Sequence, residues 1–177
     1  YSNAYGDIYR WKDIKATNTD IESVYGALYG VINNANFLLD NVDKVKANTN
    51  SDKELDKLEQ YQGEAYFARA LAYSELIKCF CKAYDSDEQA AKELGVVLTE
   101  NYYDNEPQKR ATLKESYDFV LRDLDKAAEY LKVDEDFTGS LYNEIYFNEY
   151  TCHALRARVS LYMHKYDDAI KYASKVI

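Results

Sequence analysis

Proline and glycine are nearly missing from this chain, with one Pro and six Gly among 177 residues. Their scarcity excludes a loop-rich fold and an all-β fold built on tight turns, and it points to long helices. Histidine is scarce as well, since only His153 and His164 are present. They fall eleven residues apart on one helical segment, about 16 Å along its axis, and so cannot share a metal. No apolar run approaches the length that crosses a bilayer. No glycine-rich phosphate loop is present, and no Ser–His–Asp or Cys–His arrangement carries recognisable local chemistry. Asp134-Glu135-Asp136 lacks the alternating ligands and the glycine of a calcium loop and reads as a solvated acidic turn. The segment is therefore expected to be non-enzymatic, with no cofactor and no metal.

Basic residues are outnumbered, 22 against 31 acids, for a net charge of −9. No basic cluster interrupts that field, which repels phosphate backbones and argues against nucleic-acid binding. Cys79, Cys81 and Cys152 make an odd count. Positions i and i+2 on a helix diverge, so Cys79 and Cys81 do not bridge each other. A C-x-C pair without a nearby His is a poor metal site. The three are expected to be small buried hydrophobes, and a bridge from Cys152 to one of the others stays open in an oxidising compartment.

What remains is a globular composition, 47% apolar and 30% charged, on a length that fits one domain. The chain opens at Tyr1-Ser2-Asn3-Ala4 with no signal peptide and stops inside a helical pattern at Ile177. It is expected to be a fragment, residues 1–177 forming a single helical domain of a longer protein. Tyrosine is in excess at 19. Most tyrosines fall on helical stripes, where an amphipathic ring suits a half-buried face.

Four Ser/Thr-x-x-Glu/Gln strings mark helix starts: Thr19/Glu22, Ser51/Glu54, Ser86/Gln89 and Thr112/Glu115. The first helix is predicted from about Asp20 to Val45, with Ile21, Val24, Leu28, Ile32, Ala35, Leu39 and Val42 on one face. The second runs from about Asp52 to Ala83 with Leu55, Leu58, Tyr61, Ala65, Ala68, Ala72, Leu76 and Cys79 inward. Residues 84–111 form a long connection holding a short helix from Asp87 to Leu94, stopped by Gly95. A third long helix covers about Leu113 to Leu131, a fourth about Tyr142 to Met163, and a fifth begins near Tyr166. Asp125-Lys126-Ala127-Ala128-Glu129-Tyr130 echoes Asp167-Asp168-Ala169-Ile170-Lys171-Tyr172, and Arg69-Ala70 echoes Arg156-Ala157. Small residues and aromatics at such spacings resemble tetratricopeptide repeats. The predicted fold class is all-α: stacked helical hairpins in a tetratricopeptide-like α-solenoid layer with long inter-helix loops.

The string Gly63-Glu64-Ala65-Tyr66-Phe67-Ala68-Arg69-Ala70-Leu71-Ala72-Tyr73 places an acid and a base in an Ala-rich helix. Glu64 and Arg69 lie about 140° apart around that helix and cannot form an i,i+4 pair. Each is expected to reach a neighbouring helix or a loop, with Arg69 tying down free carbonyls of the 95–110 loop. Ala neighbours imply close packing, so both read as structural rather than catalytic.

Ligand chemistry is expected off the helices. Tyr9, Arg10 and Trp11 precede the first helix, and Trp11 is the one Trp of the chain. Tyr102, Tyr103 and Asn105 make a second aromatic–polar patch in the long loop. A sugar needs an apolar ring to stack on and polar edges for its hydroxyls, which both patches offer. The alternative is that these aromatics seal the ends of the helical layer.

Taken in order, several strings resemble the N-terminal half of the SusD/RagB family. Leu28-Tyr29, Ile32 and Asn36-Phe37-Leu38-Leu39 resemble its first helix, and Gly63 to Tyr73 its Glu-Ala…Arg-Ala segment. Gly95-Val96-Val97-Leu98 resembles its Gly-[Ile/Val]-Pro-Leu turn, with Val97 in place of Pro. Arg110-Ala111-Thr112 and Asp123-Leu124 resemble the strings that follow, and Ala154 to Ile177 the last helical pair, Arg158 included. Tyr25 stands near where many members carry Trp. The matched positions Asn36, Glu64, Arg69, Arg110, Asp123 and Arg158 are scaffold positions.

The resemblance implies a surface-exposed lipoprotein of the outer membrane in Bacteroidetes-type bacteria. It would bind an oligosaccharide or other nutrient without chemistry and hand it to a SusC-like TonB-dependent transporter. The lipidated N-terminal Cys and the C-terminal half of the family are not in this sequence. A tetratricopeptide-type adaptor for protein or peptide is the rival class, and a helical domain of a glycan-processing enzyme a third.

Overall fold

The computed structural model describes residues 6–10, 12, 13, 15, 17–102, 108–132 and 146–177. Helices dominate: α1 (Gly6–Tyr9), α2 (Thr19–Ala47), α3 (Asp52–Phe80), α4 (Asp87–Ala90), α5 (Leu113–Tyr130), α6 (Glu149–Tyr162) and α7 (Tyr166–Ala173). Two short strands, β1 (Leu94–Val97) and β2 (Arg110–Thr112), pair antiparallel, with Leu94 opposite Thr112 and Val97 opposite Arg110. The long helices stack in sequence order. α3 lies between α2 and α5, α5 packs on α6, and α6 on α7, with the β-hairpin laid against α3 and α5. This is the all-α layer of stacked hairpins that the sequence predicts. Among the described residues no helix is long and apolar enough to cross a membrane.

Caps explain the helix starts, and two of them differ from expectation. Asn18, not Thr19, caps α2, because its Oδ1 accepts from the backbone N–H groups of Asp20 and Ile21. Ser51 sits at the start of α3 without a side-chain cap bond. The Thr112/Glu115 box closes fully at α5. α6 begins at Glu149 rather than near Tyr142, because Asn148 and Thr151 form a reciprocal cap that the Ser/Thr-x-x-Glu/Gln pattern does not describe. Residues 142–145 lie outside the described residues. α3 ends at Phe80, three residues earlier than expected, where Cys81 turns extended and Arg110 Nη2 donates to the Phe80 carbonyl at 3.4 Å.

The 84–111 connection holds the main departure. Its helix stops at Ala90, and Leu94–Val97 is a strand. Gly95 does not end a helix; it lets β1 approach the start of α5. A Cβ there would stand 2.1 Å from Ser116 Oγ and 2.4 Å from the Thr112 carbonyl oxygen. Gly63 plays the same part between α3 and the end of α5, where a Cβ would fall 2.7 Å from Leu131 Cγ.

The core runs along α3, whose Phe67, Ala70, Ala72, Tyr73, Leu76 and Ile77 are all buried because helices flank it on both sides. The predicted stripe was narrower and partly misplaced: Tyr61 is 50% exposed and Cys79 is exposed, while Val24 on α2 is exposed as well. Aromatic rings bind the layers. Tyr29 meets Tyr73 edge-on at 6.4 Å, and Tyr73 meets Phe119 of α5 at 5.0 Å. Tyr25 meets Phe80 at 5.0 Å. Each such pair adds about 0.5–1.5 kcal/mol beyond its buried area. Cys79, Cys81 and Cys152 are all free thiols, exposed, half-buried and buried respectively.

Candidate functional site

Three helices meet at a buried polar knot. Arg69 of α3 donates from Nε to Asp123 Oδ2 at 2.6 Å and from Nη2 to Asp123 Oδ1 at 3.0 Å. Its Nη1 donates to Asn36 Oδ1 of α2 at 2.7 Å. Arg69 is 3% exposed, and Asn36 and Asp123 are 0% exposed. Burial alone would lower the Arg69 pKa, but the Asp123 bonds and charge outweigh it and hold the guanidinium above its ordinary value. Burial pushes the Asp123 carboxyl up, opposed by the same fork and by Arg122. A fork-to-fork pair of this kind is strong and directional. It is sealed from solvent, so it fastens helices and has no substrate to act on.

Arg69 thus reaches α2 and α5 rather than the loop carbonyls assigned to it from sequence. Asn36 carries the connection outward: its Nδ2 donates to the Thr99 carbonyl at 3.1 Å and the Asn101 carbonyl at 3.4 Å. Arg110 does the carbonyl-tying, from Nε to Gly95 O at 2.6 Å and from Nη2 to Leu94 O at 3.4 Å. Glu64 accepts from Gln60 one turn back on its own helix at 3.1 Å, so it does not reach a neighbouring helix in that bond. Arg158 pairs on the surface with Glu75 at 3.0 Å.

The knot supports an ordered strip at the exit of β1. Tyr29 donates its hydroxyl to Val97 O at 2.9 Å. The Tyr73 hydroxyl accepts from the Thr99 N–H at 2.8 Å and donates to the Thr99 carbonyl at 3.2 Å. Asp40 Oδ2 accepts from the Tyr102 N–H at 2.7 Å. These bonds bring Tyr102 to α2, where its ring meets Phe37 at 4.9 Å, edge to face. Phe37 is 53% exposed. The result is a surface step with two aromatic rings and a carboxylate, held from below by buried side chains. Of the second predicted patch, Tyr102 is placed here, while Tyr103 and Asn105 lie outside the described residues. Of the first, Tyr9 closes α1 at 85% exposure with Arg10 exposed beside it, and Trp11 lies outside the described residues.

Asp40 escaped the sequence reading, and Tyr29 and Tyr73 entered it only within family-like strings, with no role for their hydroxyls. Asp40 is four residues after Asn36 on the same face, a spacing that places both toward one loop. Neither tyrosine stands on the predicted apolar stripes, and no local pattern marks a hydroxyl that bonds a loop far along the chain. Among the described residues no group of three or more His, Cys, Asp and Glu side chains is placed to hold a metal ion. His153 pairs instead with Glu149 at 3.1 Å, one turn away.

A SusD-like family described as "starch-binding associating with outer membrane" matches residues 1–161. A putative sugar-binding protein of Bacteroides vulgatus shares the fold with a TM-score of 0.76 and 24% identity, over 97% of this chain and 36% of that one. A SusD superfamily protein of the same species gives a TM-score of 0.72 and 26% identity, over 87% of this chain and 32% of the other. A laminarin-binding SusD-like protein gives 0.63 and 21%, over 87% of this chain and 29% of the other. This chain therefore spans about a third of the length of these proteins. No curated protein matches it.

Proposed function

The chain belongs to this SusD-like family, and we propose that it is the helical scaffold of a non-enzymatic glycan-binding lipoprotein exposed on the bacterial outer membrane. In this reading residues 1–177 form one helical domain of a longer protein. The protein captures an oligosaccharide and passes it to a SusC-like TonB-dependent transporter. The observation that carries the reading is the Phe37–Tyr102 step beside Asp40. Its rings offer stacking faces, its carboxylate accepts from sugar hydroxyls, and the strip that presents them is held by Asn36 and Tyr73 before any ligand arrives. Preorganisation of that kind lowers the ordering cost of binding. The laminarin-binding relative and the sugar-binding relative support a glycan as the ligand class, and the family description supports the outer membrane as the place.

Calorimetry of the full-length protein against a glycan panel that includes laminari-oligosaccharides tests the reading. Tyr102→Ala is expected to weaken binding by about tenfold, the loss of one stacking contact and its order. Tyr9→Ala and Trp11→Ala measure whether the N-terminal patch shares the site. Failure of every glycan, or unaltered affinity in all three variants, sinks it. Isolation of the native outer membrane with its TonB-dependent transporters tests the handover.

The rival is a tetratricopeptide-type peptide-binding adaptor, which the same stack of helical pairs also fits. Retention of a peptide partner by a protein that binds no glycan decides for the adaptor.

A further inference from the structure

Five side chains close a ring around the strip that carries Tyr102. Asn36 holds the carbonyls of Thr99 and Asn101. Its Oδ1 accepts from Arg69, and Arg69 forks onto Asp123. The next charge outward is Arg122, whose Nη2 stands 3.7 Å from Asp123 Oδ1. Arg122 in turn meets Glu100, which lies between Thr99 and Asn101 in the chain. Its Nη1 donates to Glu100 Oε1 at 3.2 Å, and its Nη2 stands 3.0 Å from Oε2. The strip is thus held on two sides, by its carbonyls toward α2 and by the Glu100 side chain toward α5.

The two sides differ in exposure. Asn36, Arg69 and Asp123 are buried, whereas the side chains of Arg122 and Glu100 are 43% and 56% exposed. Between the strip and α5 lies an open cleft of about 410 Å³, with Leu98 and Glu100 on one wall and Asp118, Phe119 and Arg122 on the other. Packing does not set the width of that gap; the ion pair spans it.

An exposed ion pair is ordinarily weak, because two long side chains must be ordered and water screens their charges. Two features strengthen this one. The contact is bidentate, which fixes direction as well as distance. Arg122 is also placed in advance, with its guanidinium 4.2 Å from the Phe119 ring centroid and beside the buried Asp123 carboxylate. Little freedom is then lost when Glu100 docks. On the α2 side the strip is held by the Asn36 amide, by the Tyr73 hydroxyl and by Asp40 on the neutral Tyr102 N–H. Salt screens a pair of exposed charges far more than such bonds.

We propose that Glu100 and Arg122 are positioning residues of the Tyr102 step: their ion pair fixes the strip at one distance from α5, so that capture of a neutral glycan follows ionic strength although the ligand bears no charge. The glycan rests on the reading given above, while the hold on the strip does not. Releasing the pair lowers the fraction of molecules with the step in place, and the apparent affinity falls with that fraction.

Hydrogen exchange of the full-length protein reads the hold without any ligand. The amides of Thr99 and Tyr102, bonded to Tyr73 and Asp40, are expected to exchange about two- to fivefold faster in Glu100→Gln and in Arg122→Gln. The double variant should exchange no faster than the singles, because either change already breaks the pair. Unaltered exchange in Glu100→Gln overturns the proposal, and so does a double variant in which the two effects multiply. Calorimetry with neutral laminari-oligosaccharides at about 10 mM and about 1 M NaCl reads the consequence for binding. The parent is expected to lose about two- to fivefold in affinity at high salt, whereas Glu100→Gln starts at the lower value and stays flat. Parent affinity independent of salt overturns the proposal. So does weakening in Glu100→Gln with Arg122→Gln unaltered, for Glu100 would then touch the glycan itself. Binding that persists under those results leaves the Tyr102 reading standing. Absence of any glycan binding removes that reading, and the exchange rates alone then decide the hold on the strip.

Discussion

Replacing Asp123 by Ala should be among the most damaging single changes in this scaffold. The substitution leaves Arg69 with one acceptor, Asn36 Oδ1 at 2.7 Å, where three bonds had neutralised and satisfied it. The guanidinium remains 3% exposed. Removing one member of a buried ion pair costs about 3–5 kcal/mol, because the survivor stays charged and unpaired. A domain of ordinary stability has about 5–15 kcal/mol to lose. Arg69→Met should cost somewhat less, for it leaves the buried Asp123 carboxylate with Arg122 Nη2 at 3.7 Å as its remaining cation. The double variant Arg69→Met/Asp123→Leu removes both charges and fills the space with apolar groups, and it should recover most of the loss. Asn36→Ala should cost less, at about 1.5–3 kcal/mol, since it deletes one bond to a charge and the Asn101 carbonyl's bond, while Tyr73 still serves the Thr99 carbonyl. Urea unfolding followed by far-UV circular dichroism reads these differences directly. With a slope of about 2 kcal/mol per molar urea, the Asp123→Ala midpoint should drop by about 1.5–2.5 M. Single variants within about 1 kcal/mol of the parent would refute the reasoning. A double variant as unstable as the sum of the two singles would refute it as well, for the residues would then not be coupled.

Gly95→Ala should destabilise the chain by about 3 kcal/mol or more, since its Cβ would strike the Thr112 backbone and Ser116 Oγ. Gly63→Ala should cost less, because helix propensity returns about 1 kcal/mol; equal midpoints for Gly95→Ala and the parent in the same urea assay would remove the close-approach argument. In Ellman titration Cys79, which is exposed, should react first, and Cys152 only on unfolding, because it is 2% exposed and burial pushes its thiol up to about 12; rapid native labelling of Cys152 contradicts this. The same shift sets an alkaline limit. A thiol that binds its proton more tightly when folded contributes stability in full below its ordinary 9.0, and loses it as pH rises toward about 12. The slope is up to about 1.4 kcal/mol per pH unit, and Tyr117 adds to it between 10.0 and about 12. Stability measured between pH 8 and 11 should therefore fall more gently in Cys152→Ala; an unaltered slope speaks against the assignment.

How much of this was legible in the sequence follows from how far apart the deciding residues are. Helix faces repeat locally, so α2, α3 and α5 were readable to within a few residues. The Thr112/Glu115 box was readable because both partners lie in one string. β1 was not, since its pairing partner lies beyond the loop and Leu94-Gly95-Val96-Val97 resembles a helix stop when read alone. Gly95 drew attention for the wrong reason: its need is space beside Thr112, not a left-handed turn. Tyr61 and Cys79 were placed inward on spacing, yet α3 is buried mainly along its second half, where α2 and α5 both cover it.

The candidate site shows the same limit more sharply. Arg69 was recognisable as a fastening residue from its Ala neighbours, but its partner Asp123 is 54 positions away and its third contact, Asn36, 33 positions back. No local pattern predicts that pairing, and only the fold reveals that the loop is held by Asn36 and Arg110 instead. Scaffold residues of this kind are fixed by mutual geometry, so they recur in order and spacing and make a family readable. Ligand contacts answer to a partner that is not in the chain. Tyr102 and Phe37 gain meaning only when Asp40 and the Thr99 bonds bring them to one surface. In the proposed reading, glycan contact at the Tyr102 step therefore depends on what the helical knot holds in place. Loosening the knot with Asn36→Ala, which frees the strip that carries Tyr102, should weaken glycan binding at the Tyr102 step in the full-length protein.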